Sequence, residues 1–203
     1  MTPEDLDQDH GSQFATGTRH LATDPLARLA AEHTLQLELC DALEFIADGL
    51  PDQIDRRLVR EATAVLEHGL SAHHKFEEEE LFPALRRGAA IDTSLLAALA
   101  QLEKEHVRDD GMSQEIAEEL RVLAEQGCAR NAEMLGYMLR GYFDSQRRHI
   151  EWENTLVLPL ARRVLSGDDL QELSKRMAAS VLRPAPLDSC RRGTRQSRSE
   201  AGG

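Results

Sequence analysis

The chain of 203 residues is 41% hydrophobic but only 4% aromatic, and it carries a formal net charge of −12 at pH 7. This length and composition are typical of one helical domain with additional terminal segments. The negative charge argues against nucleic acid and anionic membrane as partners, because both attract cationic proteins. Three cysteines give no disulfide framework, and no apolar segment approaches the ~18 residues of a membrane span, so we expect a soluble, cytoplasmic protein.

Hydrophobic residues recur at helical spacing through most of the chain and predict four long helices. These helices fall within residues 24–51, 52–88, 92–127 and 129–165. The first begins at Asp24-Pro25, an N-cap followed by proline at the first helical position, and ends at Gly49-Leu50-Pro51. Since the turns between the helices are short, we predict an all-α, up-down-up-down four-helix bundle over residues 24–165.

The segments outside this bundle are expected to be smaller or less regular. Residues 1–23 are polar and predict a flexible N-terminal arm. Residues 166–182 predict a short C-terminal helix, and residues 183–203 predict a disordered basic tail. This tail contains no aromatic residues, so we interpret it as a solvated segment and not as a binding arm.

One pattern occurs twice, in HHKFEEEELFPALRR from His73 and in HIEWENTLVLPLARR from His149. In both copies the first histidine is followed by glutamate at +4, proline at +10 and arginines at +13 and +14. On a helix, residues i and i+4 lie one above the other on the same face. Each copy therefore directs an imidazole and a carboxylate to one point, which is half of a metal site.

The apolar stripes of the four helices are interrupted by polar residues at core positions. These residues are His33, His73, Glu77, His106, His149 and Glu153. The distances of the four histidines from the connecting turns put them near one height along the bundle axis. The agreement is poorest for His33 and His73, whose distances from their shared turn differ most. A single histidine in such a stripe is usually an ordinary core residue. Four of them with two carboxylates would be costly to bury without partners, so we expect a bound cation.

The type of ligand indicates the type of metal. Imidazole and carboxylate together suit a first-row transition metal, whereas Mg²⁺ and Ca²⁺ prefer all-oxygen shells. No cysteine belongs to the set, so a structural zinc site of the cysteine type is not supported. Six ligands exceed the needs of one tetrahedral ion and match two ions, each with two or three nitrogens, bridged by Glu77 and Glu153.

At these residues the chain resembles the hemerythrin family, in its bacterial hemerythrin-like branch with HHE cation-binding domains. The resemblance covers about residues 24–165, the whole predicted bundle. The matching positions are His33 in the first helix, His73 and Glu77 before Leu81-Phe82-Pro83 in the second, Glu105-His106 in the third, and His149 and Glu153 before Pro159 in the fourth. The resemblance implies a non-haem centre of two irons, with Glu77 and Glu153 spanning them.

The third helix departs from the pattern of the oxygen-carrying hemerythrins, which supply two histidines four residues apart. Here Leu102 stands four residues before His106, and Asp110 stands four residues after it. Asp110 falls on the inner stripe, so either it supplies an oxygen ligand or one iron keeps an open position. His74 points about 100° away from His73 on a helix, and we expect it to be exposed or to support a ligand from outside.

Three functions remain open at this point. The first is a protein that binds or senses O₂ or NO and passes the change to a partner that the sequence does not identify. The second is a di-iron enzyme acting on peroxide or NO, or an iron donor in iron–sulfur cluster repair, and the third is iron storage. An enzyme would need a proton donor such as Tyr137, Tyr142 or Trp152, although core packing is their simpler interpretation. Residue types alone do not separate these functions.

Overall fold

The computed structural model describes residues 24–88 and 93–179. The helices are α1 (Pro25–Gly49), α2 (Arg56–His68), α3 (Leu70–Phe76), α4 (Phe82–Gly88), α5 (Thr93–Gln126), α6 (Ala132–Trp152), α7 (Leu158–Val164) and α8 (Gly167–Ala179), with π-helical turns at Glu77–Leu81 and Glu153–Val157. No strand occurs in these ranges, and none of their helices has both the length and the apolar character needed to cross a bilayer. The predicted arm of residues 1–23 and the predicted tail of residues 183–203 lie outside the described residues.

Four long rods make up the bundle, and we number them as the first to fourth bundle helices. The first is α1, the third is α5, and the second and fourth each combine several helical segments around a π-helical turn. The second joins α2, α3 and α4, and the fourth joins α6 and α7. The most extensive packing is between α1 and α6 and between α2 and α5, and α8 packs on α1. The predicted four-helix bundle with a short extra helix is therefore confirmed.

Polar caps fix where the bundle helices begin. The Asp24 side chain accepts a hydrogen bond from the first turn of α1, as its position before Pro25 predicts. The second bundle helix begins at Arg56, where the Asp55 side chain accepts two backbone hydrogen bonds, and not near Asp52 as the sequence suggested. The difference of four residues shortens the second helix and changes the height at which His73 stands relative to His33.

Both copies of the repeated pattern contain a π-helical turn, which the sequence analysis did not predict. Each turn begins at the glutamate of the pattern, Glu77 or Glu153, and ends shortly before its proline, Pro83 or Pro159. The N–H after each turn bonds to the carbonyl of that glutamate, five residues back. A proline ring crowds the carbonyl four residues before it in an α-helix, and a wider turn at that point relieves the crowding.

The apolar core consists of two clusters with a polar layer between them. One cluster contains Leu39, Leu70, Leu120 and Tyr142, and the other contains Leu29, Phe82 and Leu99. Apart from Thr63, which lies among the positions of the first cluster, the buried polar residues of every bundle helix fall at the boundary between the positions of the two clusters. These residues are His33, Gln36, His73, His74, Glu77, His106, Asp109, Ser113, Gln146, His149 and Glu153. All four helices thus contribute to one polar layer inside the bundle.

Candidate metal centre

The six residues predicted from the interrupted stripes meet in this polar layer, and each is at most 5% exposed. His33 and His73 form a first pair, whose Nε2 atoms are 3.1 Å apart. His106 and His149 form a second pair, whose Nε2 atoms are 3.2 Å apart. The expectation that the four histidines share one level of the bundle is met, and all four direct Nε2 into the interior.

The two glutamates lie between the two pairs of histidines. In Glu77, Oε1 lies 3.3 Å from an Nε2 atom of the first pair, and Oε2 lies 3.6 Å from one of the second pair. In Glu153, Oε2 lies 3.1 Å from the first pair, and Oε1 lies 3.3 Å from the second pair. Each carboxylate therefore directs one oxygen to the first pair, which we call the first side of the layer, and one oxygen to the second pair, which we call the second side. This is the arrangement needed to bridge two cations.

His74 is a fifth buried imidazole of the site, so the expectation that it is exposed was wrong, while a role in supporting a ligand stays a prediction. Its exposed fraction is 2%, and its ring stacks on that of His106 with centroids 4.1 Å apart. His74, His106 and His149 each bring a ring nitrogen within 4.8 Å of the other two. The second side thus contains a third imidazole, which comes from the second bundle helix.

Asp110 does not belong to either group of metal-capable residues within the described ranges. Its Oδ1 atom accepts a hydrogen bond from His74 Nδ1 at 2.9 Å, and its side chain is 32% exposed. The structure therefore does not support Asp110 as an oxygen ligand. Instead, Asp110 orients the His74 ring through this hydrogen bond. Leu102, at the other alternative position, is fully buried in the apolar core.

Every candidate imidazole has an oxygen partner at its outward nitrogen. The Nδ1 partners are Asn154 for His33 (2.8 Å), Glu32 for His73 (3.0 Å), Asp110 for His74 (2.9 Å), Glu78 for His106 (2.9 Å) and Glu105 for His149 (3.2 Å). An Nδ1–H that donates outward leaves Nε2 unprotonated and inward, which is the tautomer that a metal requires. Sequence reasoning missed these partners, although each of them lies beside a predicted ligand or on the same stripe.

The residues fit a pair of bound cations. Five buried ligand atoms make no hydrogen bond with the described residues, namely His74 Nε2 and both carboxylate oxygens of Glu77 and of Glu153. Buried polar atoms without partners are rare and costly, and carboxylates are the most costly of them. Two cations between the carboxylates would satisfy all five atoms, with two imidazoles on the first side and three on the second.

Protons offset the buried carboxylates when no metal is bound. Burial opposes the protonation of His33, but the carboxylates of Glu153 and Glu77, which lie 3.1 and 3.8 Å from its Nε2 atom, outweigh burial and raise its pKa to about 9. Burial also opposes the protonation of His149, and its contacts with Glu153 and Glu105 raise its pKa to about 9. Metal binding must displace these protons.

His106 behaves in the opposite way. Burial and the neighbouring His74 lower the pKa of His106 to about 3, so this imidazole is neutral at physiological pH. Burial disfavours the ionised form of Glu77, but His73 and His33 hold the pKa of this carboxyl well below its usual range. The metal-free site thus combines ionised carboxylates with histidines of both protonation states.

We expect the metal-free protein to lose stability as the pH rises from about 6.5 to about 9. An imidazole whose pKa is raised by folding contributes stability that is complete below the unfolded value of 6.5 and is lost as the pH passes about 9. Over the same interval metal binding becomes tighter, because fewer protons compete with it. The difference in melting temperature between loaded and metal-free protein, followed by circular dichroism, should therefore widen. A constant or narrowing difference would contradict this assignment of the protons.

Among the aromatic residues considered as proton donors, only Tyr142 is fully buried. Tyr137 is 79% exposed and Trp152 is 37% exposed, so both lie at the surface. The Tyr142 hydroxyl has no hydrogen-bond partner in the described residues, and burial raises its pKa well above the usual range. In the same polar layer Gln146 Nε2 donates to Asp109 Oδ2 at 2.8 Å.

The fold and the arrangement of donors define a cation-binding helical bundle. A model of the hemerythrin HHE cation-binding domain matches residues 24–161, which is more than half of the chain. The chain therefore belongs to the hemerythrin HHE cation-binding domain family, and the resemblance noted from the sequence is confirmed. Comparison with curated proteins and with solved structures gave no significant match. The matched residues span the first three bundle helices and most of the fourth, and they end within α7.

Proposed function

We propose that this chain binds two iron ions in its polar layer and that the resulting centre binds or senses O₂ or NO. The observation that carries the proposal is the pair of glutamates that direct one oxygen to each side of the layer. A mixed set of imidazole and carboxylate donors suits a transition metal, and the family makes iron the first choice. Iron in such a site supplies reversible one-electron chemistry and an affinity for diatomic gases.

The two sides differ in the number of protein donors, and this difference supports the binding of a small external ligand on the side with fewer donors. The first side has His33 and His73, and the second side has three imidazoles because it includes His74. With one oxygen from each glutamate, the first side offers four protein donors and the second offers five. An ion on the first side therefore has more room for a small external ligand.

A cavity beside His73 supports a gas as this ligand. The cavity has a volume of about 50 Å³ and adjoins His73 and Glu32. The apolar residues that line it include Leu35, Val65, Leu70, Phe76 and Met177. Arg28 and Gln36 also line the cavity, but its walls are mainly apolar, and this character and the small volume suit an uncharged diatomic molecule better than a hydrated ion.

The surrounding residues would hold and orient the ions and would keep water away. The proposed ligand side chains are at most 5% exposed, and the outer oxygen partners, one amide and four carboxyl groups, hold each ring in one tautomer. We propose that neither nucleic acid nor membrane is a partner, because the net charge is −12. A reducing, cytoplasmic location is proposed because Cys40 and Cys128 are both free thiols.

Metal analysis of protein purified without affinity tags or chelators tests this function. We expect two irons per chain, and we expect the optical spectrum of the anaerobically reduced protein to change on mixing with O₂ or NO. The matched control is the double variant Glu77→Gln, Glu153→Gln, which keeps the size of both side chains and removes both bridging charges. This variant should bind little iron and should show no such spectral change.

The same mixing experiments separate the alternatives. An enzyme would consume peroxide or NO over many turnovers, whereas a sensor or carrier would bind gas without consuming it. An iron donor would lose its iron to an acceptor protein, and a store would take up more than two irons per chain. Fewer than two irons in wild-type protein supplied with excess ferrous iron, or a reduced spectrum that neither gas changes, would refute the proposal.

A further inference from the structure

The two sides of the centre are built on one plan. On the first and third bundle helices, a glutamate directly precedes the ligand histidine and bonds to a histidine of the next helix. Glu32 accepts from His73 Nδ1 at 3.0 Å, and Glu105 accepts from His149 Nδ1 at 3.2 Å. The same residue types therefore hold the same atoms in both halves of the chain.

The remaining contacts cross from one half of the chain to the other, and here the halves differ. The residue after Glu153 is Asn154, whose Oδ1 lies 2.8 Å from Nδ1 of His33. The residue after Glu77 is Glu78, whose Oε1 lies 2.9 Å from Nδ1 of His106. Asn154 and Glu78 thus occupy equivalent positions, but the first is a neutral amide and the second is a carboxyl group.

A second difference concerns the residue after the histidine of each repeated pattern. After His73 this residue is His74, which adds an imidazole to the second side and has its own carboxylate partner, Asp110. After His149 it is Ile150, a buried apolar residue that cannot bind a cation. Only one of the two sides therefore receives a third imidazole.

Both differences act in the same direction. A carboxylate at the outer nitrogen makes an imidazole a stronger donor, whereas a neutral amide does so less. On the second side all three imidazoles have carboxyl partners, while on the first side only His73 has one. The first side is therefore poorer both in the number of donors and in their strength.

We propose that the two sides bind divalent cations with unequal affinity, the second side filling first, and that Asn154 is a positioning residue that keeps the first side weak and exchangeable. This inference rests on the proposed metal centre, but it is independent of which metal the cell supplies. It assigns to the chain one retained ion and one exchangeable ion at the side that lies next to the cavity.

Titration of the metal-free protein with Co²⁺ in the presence of a competing chelator tests this inference. The visible Co²⁺ spectrum reports each ion, so the readout is affinity and not the activity of the loaded protein. We expect two binding steps whose dissociation constants differ by about tenfold or more, because outer partners change metal affinity by about 10–100-fold. The tighter step should show the spectrum of the five-donor side.

Two variants at the equivalent positions 154 and 78 provide matched tests of the two sides. Asn154→Asp gives His33 a carboxylate partner, and it should tighten the weaker step by about tenfold and leave the tighter step unchanged. Glu78→Gln removes the equivalent carboxylate from His106, and it should weaken only the tighter step. Asn154 is exposed and Glu78 is 35% exposed, so both changes should leave the fold intact, which circular dichroism verifies.

The outcomes distinguish failure of the inference from failure of the proposed function. A wild-type protein that binds no Co²⁺, or only one ion per chain, would count against the two-metal centre itself. Two ions bound with equal affinity would leave that centre standing and overturn the inequality of the sides. If Asn154→Asp and Glu78→Gln shift the same step or shift neither, Asn154 does not set the affinity of the first side.

Discussion

Removal of bound metal should lower the melting temperature of this protein by ~15–30 °C. A ligand at about 1,000 times its dissociation constant stabilises the folded state by about 4 kcal/mol, so two ions contribute about 8 kcal/mol. For a domain of this size, 1 kcal/mol corresponds to about 2–4 °C in melting temperature. The structural reason is the polar layer, in which the four carboxylate oxygens of Glu77 and Glu153 make no hydrogen bond with the part of the chain that the structure describes.

Calorimetry of loaded and chelator-treated protein at one pH measures this difference. The control is the Glu77→Gln, Glu153→Gln double variant, whose melting temperature should not respond to metal because both bridging carboxylates are absent. Equal melting temperatures for loaded and metal-free wild-type protein would show that the buried carboxylates are compensated by the protein alone. In that case the site would not be a structural part of the fold.

The second large effect is expected for His74→Ala, which should reduce the metal that resists extensive dialysis from about one ion per chain, the ion of the second side, to little or none. His74 lies within 4.8 Å of the ring nitrogens of His106 and His149, and its Nε2 atom has no other partner. Without it the second side retains two imidazoles and becomes similar to the first. Metal analysis after extensive dialysis measures the loss.

Three comparisons make this experiment specific. Asp110→Asn keeps an acceptor for His74 Nδ1 and should retain the dialysis-resistant ion, whereas Asp110→Ala should weaken the binding of this ion without abolishing it. Lys75→Ala changes the next residue along the helix, which is exposed, and should have no effect. If Asp110→Ala removes as much metal as His74→Ala, then Asp110 is itself a ligand and the orientation seen here is not that of the loaded protein.

The helical spacing of apolar residues was sufficient to predict the bundle. The distance of each histidine from its connecting turn was sufficient to predict that six polar side chains converge. Their role as metal ligands stays a prediction. The poor register expected for the first two helices disappears because α1 ends at Gly49 and α2 begins only at Arg56. His33 is then 16 residues from the end of its helix, and His73 is 17 residues from the start of its own. The Asp55 side chain caps the second helix, whereas the sequence analysis placed its start near Asp52.

His74 was misjudged because a single inner stripe was assumed for each helix. A helix at the corner of a four-helix bundle has two neighbours, which lie about 90° apart around its axis. Successive residues differ by about 100°, so His73 can face the first helix while His74 faces the third. The contacts agree, since His73 lies 3.1 Å from His33 and His74 stacks on His106. Two adjacent histidines at a core level are therefore a signal that both are buried.

The π-helical turns could not be derived from hydrophobic spacing, because a wider turn shifts the stripe by only one residue. In retrospect the proline at +10 of each pattern was the available signal. The outer partners were equally inaccessible to spacing arguments. Asn154 and Glu78 bond to histidines on helices far away in sequence, and such pairings become evident only when the crossing of the helices is known.

The separation of the apolar core into two clusters has a consequence for how the chain unfolds. Cooperative unfolding requires that the parts of a domain be coupled, and here the coupling runs through a layer of charged side chains. With metal bound, amides around Leu120 and around Leu99 should exchange their hydrogens with the same opening free energy. Without metal they should exchange as two units of different stability, so the cation decides whether this bundle behaves as one folding unit or as two.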